Sequence, residues 1–198
     1  SEMCIRDSDE ASSWVPLKPP THDVDGRAIP CDAPACALHL HGLLELHNLG
    51  GVFSSTAPGV VMGVGSIGAA LRPYAECDTF LSVDAGVTWR MVARHPHKHA
   101  FADQGGLLVM APDAPLVHAL RYSTDFGSTW RDVRLPTPIT PHVLTTAPDG
   151  ASLQLLVVGS QARDQTSAPR HMAVHVDFRT LRRRKCTQAD LERFVPQT

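Results

Sequence analysis

The chain has 198 residues, 43% of them hydrophobic and 19% charged, which is enough apolar material for a domain-sized core and excludes a disordered polyelectrolyte. A net charge of −2 gives no general attraction to nucleic acid or acidic lipid, so neither is expected as a partner. No stretch approaches the roughly 20 apolar residues of a membrane-spanning helix.

Residues 1–30 are rich in Pro, Asp and Ser, show no period of either kind, and are read as a disordered N-terminal tail. Residues 36–46, CALHLHGLLEL, alternate and then run apolar, as a strand entry does. GVVMGVGSIG (59–68) is a β-branched run broken by glycines. CDTFLSV (77–83), TWRMVAR (88–94), GGLLVMA (105–111), VHALRYS (117–123) and TWRDVRL (129–135) follow. HVLTTA (142–147), LQLLVVG (153–159) and MAVHVDF (172–178) complete the series. Short runs of this composition, bounded by Gly, Pro, Asp and Ser, are strands. Only TQADLERF (187–194) reads as helical, with Thr187 as N-cap and Asp190 three residues on.

A repeat organises these strands. SVDAGVTWR (82–90) and STDFGSTWR (123–131) share six of nine positions at an offset of 41 residues. Each copy lies between two strands and is expected to be a hairpin turn. Asp84 and Asp125 can accept backbone N–H groups, and Ser82 and Ser123 can close the turn from the opposite arm. Gly86 and Gly127 supply left-handed backbone. Thr88 and Thr129 lead into Trp89 and Trp130, whose rings are expected to be buried between neighbouring sheets. An offset of 41 residues suits one four-stranded propeller blade. The spacing therefore predicts an all-β, partial propeller of roughly three four-stranded antiparallel blades. The third blade would lack the repeat, because MAVHVDF runs directly into Arg179.

Several clusters admit a chemical reading and a plainer one. His95, His97 and His99 would share one face of an extended segment, but Pro96 interrupts it and no carboxylate trio lies nearby, so a surface strand is favoured over a metal site. His39 and His41 are read as strand residues. Gly63, Gly65 and Gly68 mimic a dinucleotide-binding spacing, yet the following segment is cut by Pro73, which favours a strand with glycine-lined packing. Arg182, Arg183, Arg184 and Lys185 are read as a solvated linker face. Cys31 and Cys36 are close enough to bridge in an oxidising compartment, or would be two free thiols in a reducing one. Cys77 has no evident partner. No cofactor, metal or catalytic residue is assigned.

The double Ser-x-Asp-x-Gly-x-Thr-Trp resembles the Asp-box, which sialidases and other glycosidases also carry. With CALHLHG, FSSTAPGVVMGVGSIG, PYAECDTFLSVDAGVTWRMV, PHKHAFADQGGLLVM and the C-terminal Cys186 with DLERFVP, residues 31–196 resemble the luminal domain of sortilin-type vacuolar sorting receptors. The resemblance implies the C-terminal part of a ten-bladed propeller, with blades over 31–178 and a linker plus the start of a cysteine-rich module over 179–198. It implies a Cys31–Cys36 bridge and a partner for Cys186 outside the chain. It implies a non-enzymatic receptor fragment in the Golgi or endosomal lumen, binding protein or peptide cargo such as soluble vacuolar or lysosomal hydrolases. Membrane anchoring would come only from other parts of a single-pass parent, of which this chain, opening on Ser1, is read as a piece. Cargo-contacting residues are not assigned by the sequence. The alternative is an Asp-box glycoside hydrolase, with Asp103 as the best isolated carboxylate and Arg27-Ala28-Ile29-Pro30 as a faint echo of a sialidase motif. About three blades of an open ring are expected to leave an apolar face toward residue 31 and a missing strand after Phe178, and hence poor solubility in isolation.

Overall fold

A computed structural model describes residues 2–3, 5–7, 13–31, 36–42, 58–147, 149–161 and 168–181. Thirteen strands are present among them. In chain order they are β1 (Glu2–Met3), β2 (Ile5–Asp7), β3 (Trp14–Pro16), β4 (Ala37–His41), β5 (Val61–Gly68), β6 (Asp78–Ser82) and β7 (Arg90–Ala93). β8 (His97–Ala102), β9 (Leu107–Pro112), β10 (Val117–Ser123), β11 (Arg131–Thr145), β12 (Gln154–Gln161) and β13 (Arg170–Asp177) follow. The predicted helix over 187–194, the Arg182–Lys185 run and Cys186 lie outside the described residues.

Every pairing is antiparallel, and from β4 onward each sheet is a meander of sequence neighbours. The first sheet runs β1-β4-β5-β6-β7 and the second β13-β12-β11-β10-β9-β8. β4–β7 and β8–β11 are thus two successive four-stranded units of the same connectivity, each with one copy of the repeat between its third and fourth strands. The chain is all-β with the architecture of a partial propeller.

The two segments read as separate strands at 129–135 and 142–147 are one strand of 15 residues. Its first part pairs with β10, from Arg131 to Arg134 and again at Ile139 after a register shift, and its last part, from Thr140, pairs with β12. Pro136 and Pro138 fall in the interval where the regular β10 pairing has lapsed. A proline has no N–H to contribute to a ladder, so it fits where the strand changes partner. Turn-rich composition here marks a change of ladder partner within one strand, not a loop.

Period-two alternation places neighbouring side chains in different cores. On β9, Leu107, Val109 and Ala111 join a cluster with Leu120, Leu155 and Val157, while Leu108 and Met110 turn to the other face. There they meet Met62, Leu81, Val92 and Ala93 of the first sheet. On β6, Leu81 enters this inter-sheet cluster, but Phe80 faces the opposite way with Leu38, Leu40 and Trp89.

That outer face of the first sheet differs from the open surface expected toward residue 31. Leu17 is buried against it and accepts the N–H of Leu38 at 3.0 Å. Part of the segment read as a disordered tail is therefore ordered. Residues 21–29 form a closed loop, with the N–H of Ile29 donating to the carbonyl of Thr21 at 2.9 Å and that of Asp23 to Arg27 at 2.9 Å. The physical reason is that Leu38, Leu40, Phe80 and Trp89 need a cover, and Leu17 provides an apolar one.

Close approach explains two strand glycines. Gly65 on β5 lies over the first strand of its unit, where an added Cβ would run into the His39 carbonyl oxygen. Gly159 on β12 has the same relation to the Thr140 carbonyl oxygen. Gly63, Gly65 and Gly68 are all within β5, so they line a strand and not a phosphate loop. Gly65→Ala and Gly159→Ala should each lower the stability of the protein by about 1–3 kcal/mol, because a backbone atom must move to admit the methyl group. Urea denaturation reads this directly, and an unchanged midpoint for both variants would refute the close-approach account.

Candidate functional site

The two repeat turns are near copies in atomic detail. In the first, the N–H of Thr88 donates to Asp84 Oδ1 at 2.8 Å and its hydroxyl donates to Oδ2 at 2.6 Å. Ser82 Oγ donates to Asp84 Oδ1 at 2.8 Å and accepts the N–H of Gly86 at 2.8 Å. In the second, the N–H of Thr129 donates to Asp125 Oδ1 at 2.9 Å and its hydroxyl to Oδ2 at 2.6 Å. Ser123 Oγ donates to Asp125 Oδ1 at 2.7 Å and accepts the N–H of Gly127 at 2.8 Å.

The turn between these clamps needs two left-handed residues, not one. Ala85 and Gly86 have φ of 56° and 83°, and Phe126 and Gly127 have 53° and 76°. Two positive central φ values with an i→i+3 bond, here Ser128 N–H to Asp125 O at 3.2 Å, are what a type I′ hairpin requires. Glycine takes this geometry freely, whereas Ala85 and Phe126 are held in it by the side-chain clamp around them.

Charge state follows from the clamp. Three donors converge on Asp125, the hydroxyl and N–H of Thr129 foremost, and they hold its carboxyl down at about 2. At Asp84 partial burial pushes the carboxyl up, but the bonds from Thr88 and Ser82 outweigh it and leave the group below its ordinary value. Both carboxylates are spent on accepting turn hydrogen bonds.

The tryptophans diverge. Trp89 is 4% exposed, packs with Leu17, Leu38, Leu40 and Phe80, and donates its indole N–H to the Gly86 carbonyl at 3.1 Å. Trp130 is only half-buried and packs against the cluster between the two sheets. Its ring also lies 5.8 Å from the Arg121 guanidinium.

The turns are linked across the sheets. Arg90, which follows Trp89, donates from Nη2 to the Phe126 carbonyl in the second turn at 2.6 Å. Gly127 makes this approach possible, since a Cβ there would meet Leu81 of the first sheet. A second link runs from the Tyr74 hydroxyl to Asp113 at 3.0 Å, where Lys98 Nζ also reaches Asp113 at 3.1 Å. Between the sheets, beside the second turn, lies a cleft of about 470 Å³ with Arg90, Arg94, Arg121 and Trp130 on its walls.

The other sequence candidates are scattered. His95 has φ of 64°, so it leaves the extended segment, and β8 starts only at His97. His97 Nδ1 is 3.0 Å from the His95 carbonyl oxygen, and burial pushes its imidazole down, toward the neutral form. His39 Nε2 and His41 Nε2 sit 3.1 Å from the carbonyl oxygens of Gly68 and Arg72, tying β4 to the end of β5 and to the chain that follows it. No group of three or more His, Cys, Asp or Glu among the described residues is arranged to hold a metal. Cys31 and Cys36 form a disulfide with Cα atoms 5.5 Å apart. Cys77 is a buried free thiol, pushed up to about 11 chiefly by burial. Asp103 lines a separate cavity of about 370 Å³, and it is the sole carboxylate among the described residues around it.

Comparison with known proteins places this arrangement. The family model described as sortilin, neurotensin receptor 3 (Sortilin-Vps10) matches residues 8–144. The chain belongs to the sortilin–Vps10 family. It is 48% identical over 193 residues to the vacuolar protein sorting/targeting protein 10 of Mycosarcoma maydis, a match covering 96% of the chain and 13% of that protein. The protein of the same description from Laccaria bicolor is 44% identical over 196 residues, again 96% of the chain and 13% of the relative. That from Aspergillus flavus is 44% identical over 171 residues, or 86% of the chain and 11% of the relative. The chain thus spans about an eighth of the length of these curated relatives.

The cleft arginines and their contacts were not anticipated from sequence. The signal was present in part, since arginine is the sixth identical position of the repeat, but its reach into the next turn depends on sheet-to-sheet geometry.

The two tryptophans give a ranked expectation. Trp89→Ala should cost roughly 3–5 kcal/mol, and Trp130→Ala less, because its ring is already partly solvated. Equilibrium denaturation checks the order, and an equal or larger loss at Trp130 would contradict the packing described.

A pH effect follows from Asp125. Its folded value, about 2, lies below the ordinary 3.8. The native clamp therefore favours the ionised form, and the stability it contributes is complete above about pH 4 and fades as pH falls toward 2. Asp125→Asn should flatten the acid limb of the stability profile in that window. A profile as steep as the wild type's would mean that the clamp does not set the carboxyl's charge.

Proposed function

We propose that this chain is part of the luminal ligand-binding domain of a transmembrane sorting receptor, one that carries soluble hydrolases from the Golgi to the vacuole or endosome. The observation that carries the reading is the 48% identity, over 96% of the chain, to a protein described as a vacuolar protein sorting/targeting protein. The Cys31–Cys36 disulfide supports an oxidising, luminal setting. Membrane anchorage belongs to other parts of the parent; among the described residues no helix is long and apolar enough to cross a membrane.

The role is binding, not catalysis. Glycoside hydrolysis commonly uses two carboxylates facing one another across a pocket, sialidases with their tyrosine nucleophile being an exception. Asp84 and Asp125 are held by their own turns, and Asp103 faces no second carboxylate among the described residues of its cavity. The proposed cargo is a protein or peptide, received by the parent receptor's propeller, in which residues 31–178 contribute the last blades and 179–198 lead into a cysteine-rich module.

A pull-down with the intact luminal domain tests this. Precursors of vacuolar hydrolases should be retained and an unrelated secreted protein should pass through. Equal retention of both, or turnover of a fluorogenic sialoside or glucoside, would overturn the reading.

A further inference from the structure

We infer that the cleft between the two Asp-box sheets binds an acidic peptide segment in which two carboxylates flank an apolar residue. This rests on the reading of the chain as a cargo-binding module and names a site and a ligand chemistry for it. The cleft has three guanidinium groups on its walls, Arg90, Arg94 and Arg121, against one carboxylate, Asp25. Its volume of about 470 Å³ accommodates a few residues of extended peptide.

The chain already seats a segment of this chemistry at one end. Arg94 Nη2 contacts Asp23 Oδ2 at 2.6 Å and Asp25 Oδ2 at 2.8 Å. These carboxylates belong to Asp-Val-Asp-Gly, and Val24 between them lines the cleft. The loop is shaped for the task, with Asp23 Oδ1 accepting the N–H groups of Asp25 and Arg27 at 2.8 and 2.9 Å.

The other end is equipped and unspent. Among the described residues Arg121 has a single long ion pair, its Nε 3.8 Å from Asp132 Oδ1, and lies over the half-buried Trp130 ring. Arg90 is fixed by its bond from Nη2 to the Phe126 carbonyl, which positions the rest of its guanidinium without consuming it. A guanidinium has five N–H donors and takes a carboxylate in bidentate fashion. Trp130 and Met91 provide an apolar wall for a side chain between two such carboxylates. A bare inorganic anion would leave that wall unused.

The test uses the intact parent receptor and a fluorescein-labelled, blocked hexapeptide, Ala-Asp-Val-Asp-Gly-Ala. Wild-type receptor should bind it in a salt-sensitive manner. Replacing both aspartates of the peptide by asparagine should weaken binding by about tenfold or more, and Arg121→Gln in the receptor should do the same, while Arg121→Lys loses less. A melting curve of the variant reports its fold. A second readout needs no variant: the same peptide carrying a diazirine in place of its valine should photo-crosslink to the tryptic fragment 122–131, which contains Trp130. Absence of binding to wild type, equal binding of the asparagine peptide, unchanged affinity in a folded Arg121→Gln receptor, or adducts confined to other fragments would each overturn the site. Hydrolase retention, measured on the same wild-type preparation, judges the cargo reading separately. Retained hydrolase without peptide binding would remove the cleft and leave that reading intact.

Discussion

The structure depends on one constraint: a central strand here must bury both faces, each in a different core. Phe80 and Leu81 are adjacent on β6 and both fully buried, one against Trp89 and Leu38, the other against Met110 and Val92. No such strand is stable in a lone sheet, because half of its apolar side chains would face water. Each four-stranded unit therefore needs a neighbour on both sides. β9 meets the requirement with the first sheet on one face and β11–β13 on the other. The first sheet meets it with the second on one face and Leu17 on the other. Covering by a short segment is a smaller contact than covering by a sheet, and it explains why residues of polar, proline-rich composition are ordered there.

The repeat turns are what let such units stack in register. The ladder between third and fourth strands ends at Leu81–Arg90 and Tyr122–Arg131, and beyond it the turn, with its I′-like pair of left-handed residues, is closed by the side-chain clamp. The carboxylate and serine clamp fixes the turn's shape, and the tryptophan that leaves the turn is then delivered to one face of its sheet, Trp89 under Leu17 and Trp130 against the first sheet. The same clamp fixes the carbonyl of Phe126 in space, which gives Arg90 a target. Local hydrogen bonding thus sets long-range packing.

Much of this was legible in sequence. The repeat offset located both turns, and the roles of Ser82, Asp84, Thr88 and their counterparts follow from side-chain chemistry alone. Alternation identified most strands. What was not legible depended on partners distant in sequence. The three prolines between 136 and 141 separate the two runs read as strands, because composition cannot show that one strand is changing ladder partners there. The order in residues 13–31 rests on Leu17 meeting residues that follow it by 21 positions or more, with no local period to announce it. The cleft joins Asp23 and Asp25 to an arginine about 70 residues later. Trp130 carries the same motif as Trp89 yet is more exposed, since its burial is set by the neighbouring sheet and not by the motif.

The third unit shows which parts of the design are intrinsic to the repeat. β13 ends where β6 and β10 end, at the entrance to a turn, but the motif is absent. There Asp177 Oδ1 accepts the N–H of Arg179, two residues on, instead of four as in the clamps. This tighter closure has no serine to hold the returning strand and no left-handed glycine. Its consequence falls on Arg131, the counterpart of Arg90. Arg90 finds a carbonyl held out by the next repeat turn. Among the described residues Arg131 meets no such turn and instead lines a cavity with Asp103, Tyr122 and Leu181. The arginine at the end of the motif is therefore not a component of its own turn. It is a connector to the copy that follows, and among the described residues the Arg90–Phe126 connection is the one that shapes the charged cleft between the sheets.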